Sequence, residues 1–128
     1  MILRSGIDLV EINRFSDLKP DLRKRFLHRV FTDQEIEDCG GHDQKFAGRF
    51  AIKEAVAKAL GTGIGPVSWK DIEIISQGNG EPFLILHNKA QEIAEKLELV
   101  QWSISISHTS EHAIGLAVAI GKESLSQD

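Results

Sequence analysis

The sequence predicts an α+β domain in which an antiparallel sheet packs on one long central helix. Three observations carry that prediction. Residues 101–107 alternate strictly, with Trp102, Ile104 and Ile106 to one face and Ser103, Ser105 and Ser107 to the other. Residues 43–60 read as a long helix that is apolar on almost every side and stops at Gly61. The chain order is strand, helices, then strands around a single helix.

Each element follows from local chemistry. Residues 2–10 are apolar and β-branched enough for a strand, with Gly6 marking a bulge or a close approach. Residues 14–30 space Phe15, Leu18, Leu22, Phe26, Leu27 and Val30 at helical intervals. They predict one or two short amphipathic helices broken near Pro20. Thr32 and Glu35 have capping-box spacing, which starts a short helix ending near Gly40 and Gly41. Asp43 is expected to cap the long helix, and Gly61 to end it in the left-handed region. Residues 61–66 form a loop. Residues 71–77 and 82–86 make two strands around the turn Gly78-Asn79-Gly80. Asn88 is expected to cap a helix running to about Leu97. The strand at 101–107 then returns through residues 108–112 into a mostly apolar strand at 113–120, a hairpin. Residues 1–120 read as one domain and 121–128 as a loose tail.

Composition narrows the function classes. The 128 residues carry 15 Lys+Arg and 19 Asp+Glu, a net charge of −4. That balance argues against a general nucleic-acid binder. No apolar run approaches the roughly 20 residues of a membrane span. The single Cys39 excludes an internal disulfide and a cysteine-based zinc cluster. The start has no signal-peptide layout, so a cytoplasmic protein is expected. The average also hides an asymmetry: residues 1–60 are net +1 and residues 61–128 net −5, while 14–29 alone are net +4. The basic segment is either a solvated helix face or a docking surface for an acidic partner.

Four residues stand out against this background. Glu54 and Lys58 lie about 40° apart on one face of the long helix, among small neighbours such as Ala47, Ala51, Ala57 and Gly61. A surface i,i+4 pair is the ordinary explanation. The narrow polar stripe on an otherwise apolar helix favours a functional one. Asp8 interrupts an apolar strand. It is a solvent-face or capping carboxylate, or, with Glu54, one of two hard oxygen ligands of the kind Mg²⁺ takes beside water and phosphate. His108 ends the alternating strand ahead of Thr109, either as a turn residue or as a positioned reactive group. His28, His42, His87 and His112 have no motif around them and are assigned structural roles.

The motifs G-I-D-L-V-E-I-x-R at 6–14, G-R-F-A-x-K-E-A-x-x-K-A-L-G-T-G at 48–63 and S-I-S-H-T at 105–109 occur in this order, with W-x-D-I-E-I at 69–74 and N-G-x-P at 79–82 between them. Together the chain resembles the holo-acyl-carrier-protein synthases, small bacterial 4′-phosphopantetheinyl transferases, from residue 2 to about 120. Ile52 and the 33–45 segment depart from the family pattern away from the proposed chemistry. The resemblance implies transfer of the phosphopantetheine arm of coenzyme A to a serine of apo-acyl carrier protein, with release of adenosine 3′,5′-bisphosphate, in support of fatty acid biosynthesis. It implies Asp8 and Glu54 as Mg²⁺ ligands and Lys58 on the phosphates. It also places His108 and Thr109 against the coenzyme A phosphates from the other side. Arg49, Gly80 and Pro82 are weaker candidates for the 3′-phosphate and adenine. Gly61 and Gly63 allow close backbone approach. The family assembles as a homotrimer with interfacial sites, Asp8, Glu54 and Lys58 coming from one protomer and the His108 loop from its neighbour. Arg14, Arg23 and Arg25 match the carrier docking surface. A metal-bound water, Glu54 or a carboxylate of the carrier could remove the serine proton.

Two other readings compete. A coenzyme A or nucleotide-binding module without catalysis would keep Lys58 and His108 but has no need of both carboxylates. A structural oligomer docking an acidic protein would depend on neither Mg²⁺ nor coenzyme A.

Overall fold

In the computed structural model, which describes residues 1–122, the fold is α+β, with α4 (Asp43–Leu60) seated on an antiparallel sheet. Strand β1 (Ile2–Glu11) leads to α1 (Asn13–Ser16), α2 (Pro20–Val30) and α3 (Asp33–Cys39) before α4. A 3₁₀ turn at Trp69–Asp71 precedes β2 (Ile72–Ser76) and β3 (Pro82–Leu86), then come α5 (Asn88–Lys96), β4 (Leu99–His108) and β5 (His112–Gly121). The sheet order is β1-β5-β4, all antiparallel, while β2 and β3 form a separate hairpin. The expected loose tail falls partly in β5, through Gly121, and otherwise lies outside the described residues.

Small residues decide how α4 meets the sheet. Strand β5 turns Ala113, Gly115, Ala117 and Ala119 inward, all of them buried. A Cβ on Gly115 would lie 2.6 Å from the Ala51 carbonyl carbon, and one on Gly48 would lie 2.8 Å from Ile106 Cγ2. At Gly6 the gap to the Ala55 carbonyl oxygen would be 1.8 Å. The helix therefore crosses the sheet diagonally, touching β4 through Gly48, β5 through Ala51 and β1 through Ala55. Such backbone proximity is what Gly6 contributes, in place of a bulge. The outer face of the same sheet carries Leu3, Ile7, Leu9, Ile114, Leu116 and Ile120, exposed by 37–69%.

Two helix starts differ from expectation. His42, not Asp43, is the N-cap of α4, and Asp43 is its first helical residue, ion-paired to Arg23 at 2.6 Å. His87 holds the N-cap position of α5, while Asn88 has φ +47° and donates its side-chain amide to Asp71 Oδ1. In both cases a tertiary partner draws the side chain away from the helix end. The capping box at Thr32 and Glu35 forms as expected. Gly61 closes α4 at φ +81°. Among the described residues no helix is long and apolar enough to cross a membrane.

Candidate active site

Asp8 reaches the site because the pleat of β1 turns Gly6, Asp8 and Val10 toward α4 and Ile7 and Leu9 away. Glu54 follows Lys53 on the stretch of α4 that lies against Gly6, and Lys58 is one turn further on. The Lys58 ammonium donates to the Ile7 carbonyl at 2.8 Å and lies 3.3 Å from Asp8 Oδ1. Burial and the Asp8 charge push the Glu54 carboxyl above its ordinary value, opposed by Lys58 and Arg14. Residues some fifty positions apart thus form one cluster of two carboxylates and an ammonium.

That donor set suits a hard divalent cation. Glu54 is held above its usual range partly by Asp8, the electrostatic cost that a cation between the two would remove. Among the described residues no cluster offers three or more His, Cys, Asp or Glu ligands. Two carboxylates match Mg²⁺, which completes its shell with water and substrate oxygens.

His108 stands elsewhere in the same chain. It pairs with Ala113, which pairs with Val10, so its Cα is about 12 Å from that of Asp8 by ordinary strand spacings. It lines an open cleft of about 420 Å³ with His42, Lys45, Gly48, Arg49 and Ile106. Thr109 Oγ1 accepts the backbone N–H groups of Glu111 and His112, which fixes the turn behind His108. Arg49 is largely buried. It donates to the Ile74 carbonyl and to Ser76 Oγ, and Ser76 pairs with Pro82 at the end of the hairpin that carries Gly80. The cleft draws Lys45, Gly48 and Arg49 from the first half of α4, whereas Glu54 and Lys58 lie in its second half. Gly61 and Gly63 adopt positive φ, and a Cβ on Gly63 would meet nothing within 4 Å. The three arginines divide. Arg14 and Arg25 are exposed, whereas Arg23 is bound to Asp43 and lies over Phe46 at 5.5 Å.

Three features had escaped sequence reasoning. His42 and Lys45 join the cleft. Their spacing to Arg49 (i, i+3, i+7) on the first turns of α4 was the available signal. Lys53 is fully buried and ion-paired to Glu35 at 2.9 Å. It also donates to the carbonyls of Trp69 and Ile72. Burial pulls its ammonium below the ordinary lysine value against the opposing Glu35 charge. Glu35 in turn accepts from the backbone of Thr32 and Ile74, tying α3, α4 and β2 together.

Residues 4–117 match the family described as the 4′-phosphopantetheinyl transferase superfamily. The chain belongs to that family. Among its relatives is the holo-[acyl-carrier-protein] synthase of Alkaliphilus metalliredigens, 45% identical over 122 residues, 93% of this chain and 99% of that one. The synthase of Moorella thermoacetica is 42% identical over 99% of both chains. Among solved structures, the Helicobacter pylori synthase in complex with coenzyme A superposes with a TM-score of 0.81 at 34% identity, covering 91% of this chain and 99% of that one. The Bacillus anthracis synthase with CoA (3′,5′-ADP) gives 0.74 at 34% identity, over 93% and 96%. This kinship places the chain among the holo-acyl-carrier-protein synthases and decides for an enzyme over the two non-catalytic readings.

Proposed function

We propose that this protein is a cytoplasmic, Mg²⁺-dependent synthase that moves the 4′-phosphopantetheine arm of coenzyme A onto a serine of apo-acyl carrier protein. Residues 1–120 act as its single domain, and its product serves fatty acid biosynthesis. The observation that carries the reading is the meeting of Asp8, Glu54 and Lys58 beneath the diagonal crossing of β1 and α4.

The serine hydroxyl forms a bond to the β-phosphorus as the bond from that phosphorus to the bridging oxygen breaks. Adenosine 3′,5′-bisphosphate leaves with that oxygen. Asp8 and Glu54 would hold Mg²⁺, whose charge would neutralise the pyrophosphate. Lys58 adds its ammonium to the same oxygens and is aimed by its bond to the Ile7 carbonyl. The serine proton passes to a carboxylate, either Glu54 or one supplied by the carrier. Gly61 and Gly63 let the ligand lie close to the backbone, and His108, Thr109 and Arg49, with Gly80 and Pro82, meet the nucleotide end.

These two halves stand apart in one chain. A homotrimer would bring the His108 cleft of one protomer to the Asp8 cluster of the next. The exposed apolar outer face of the sheet supports such an assembly, since Leu3, Ile7 and Leu9 at 59–69% exposure form a patch that copies of the chain can bury. Arg14 and Arg25 would receive the acidic carrier.

The test is direct. Apo-carrier is incubated with coenzyme A and Mg²⁺ and weighed by mass spectrometry, and the enzyme is sized by sedimentation. A phosphopantetheine mass gain and a species of three chains are expected. A competent carrier that gains no mass would sink the transferase reading, and a monomer in solution would sink the trimer.

A further inference from the structure

We infer that the Phe50–Trp69 stack is a positioning device that holds the Arg14 guanidinium at the border between the acidic pair and helix α2. This rests on the transfer reaction proposed above. The Arg14 guanidinium carbon lies over the Phe50 ring, 4.9 Å from its centroid. Trp69 stacks on Phe50 with centroids 4.8 Å apart and planes 28° from parallel. A ring has two faces, so with Trp69 on one, the guanidinium takes the other. Phe15 and Phe26 approach the same ring at 5.8 and 6.0 Å. The Trp69 carbonyl is in turn fixed by the buried Lys53 ammonium at 2.9 Å. Among the described residues no ion pair holds Arg14.

Position gives the stack its meaning. Phe50 precedes Glu54 by one helical turn, so ring and carboxylate share a face of α4. Phe26 belongs to α2, so the same ring also touches the basic helix. An aromatic core alone explains Phe15 and Phe26. It does not explain an exposed cation seated on the ring face, where the π cloud is negative. Phe50 and Trp69 act through Arg14 and touch neither substrate.

The test compares the full chain with its Phe50→Leu and Trp69→Leu variants, varying carrier and coenzyme A separately. Leucine keeps an apolar side chain but has no π face. The KM for carrier should rise about two- to five-fold, the worth of one exposed cation–π contact. The KM for coenzyme A should stay constant. Arg14→Gln should then cost less in the Phe50→Leu background than in wild type. Independently of turnover, the Arg14 δ-methylene protons should carry an upfield ring-current shift by NMR that Phe50→Leu removes. Should Phe50→Leu fail to fold, Trp69→Leu, which removes the ring that fixes Phe50, should weaken the same Arg14 ring-current shift, and an unchanged shift would overturn the inference. Additive Arg14 and Phe50 effects, or equal losses for both substrates, overturn the inference while an active wild type preserves the reaction. An inactive wild type overturns both.

Discussion

Replacing Gly6 by alanine should lower both transfer and stability by forcing strand β1 and helix α4 apart beside the carboxylate pair. The new Cβ would lie 1.8 Å from the Ala55 carbonyl oxygen and 2.8 Å from its carbon, where real Cβ contacts stop near 3.0 Å. Strand β1 and helix α4 must therefore part by about 1.2 Å at this point. Both atoms belong to backbone, so no side chain can turn aside to absorb the clash. Glu54 directly precedes Ala55, and Asp8 lies two residues after Gly6 on the same strand face. The displacement thus opens the gap between the two carboxylates. A misplacement of about 1 Å at a reacting centre costs on the order of 10²-fold in rate. Overpacking of this kind costs about 1–3 kcal/mol of stability. The assay is kcat from the mass of the carrier at saturating substrates, together with the Mg²⁺ concentration giving half-maximal rate. Gly78→Ala serves as the control, since its Cβ would meet nothing within 4 Å. Transfer by Gly6→Ala within about three-fold of wild type, with an unchanged melting temperature, would refute the coupling of this contact to the site.

Three further outcomes follow from the same geometry. Lys53→Met leaves Glu35 buried without its ion-pair partner and should cost about 3–5 kcal/mol in denaturant unfolding; a loss under about 1 kcal/mol would contradict the structural role given to the pair. Glu54→Gln should stabilise the metal-free protein while removing transfer. The folded state raises this carboxyl, so its ionisation opposes folding, and the gain from Gln should be full above the raised folded value and fade as pH falls from there toward the ordinary 4.5. Thermal unfolding across that range measures it, and a gain that grows toward acid would reverse the sign. Arg25→Glu should raise the KM for carrier several-fold with little change for coenzyme A, whereas Arg23→Glu should chiefly lower the melting temperature through its lost bond to Asp43; steady-state kinetics and melting curves that exchange these effects would refute the division.

What the sequence disclosed was local. The alternation of β4, the Thr32–Glu35 capping box and the Gly61 terminus each depend on neighbours a few residues away, and each forms where the pattern places it. What stayed hidden depends on distant partners. Glu35 reads as half of a capping box, but its carboxylate also accepts from Ile74 and pairs with Lys53, which no local period encodes. Asp43 and Asn88 look like caps until Arg23 and Asp71 claim them. The small inward residues of β5 read as an apolar strand, yet their size decides how closely α4 approaches. Asp8, Glu54 and Lys58 were legible as polar groups in apolar settings, and the diagonal crossing explains why they meet. His42 and Lys45 were missed because their common cleft includes His108 from the far end of the chain.

The central claim is that Asp8 and Glu54 act together as the carboxylate pair of a phosphopantetheine transfer. Single-turnover transfer to apo-carrier by Asp8→Ala and by Glu54→Ala, each checked for native circular dichroism, tests it most directly. Both variants should fold and both should leave the carrier without phosphopantetheine at any Mg²⁺ concentration. A near-normal rate in either would contradict the assignment of that pair.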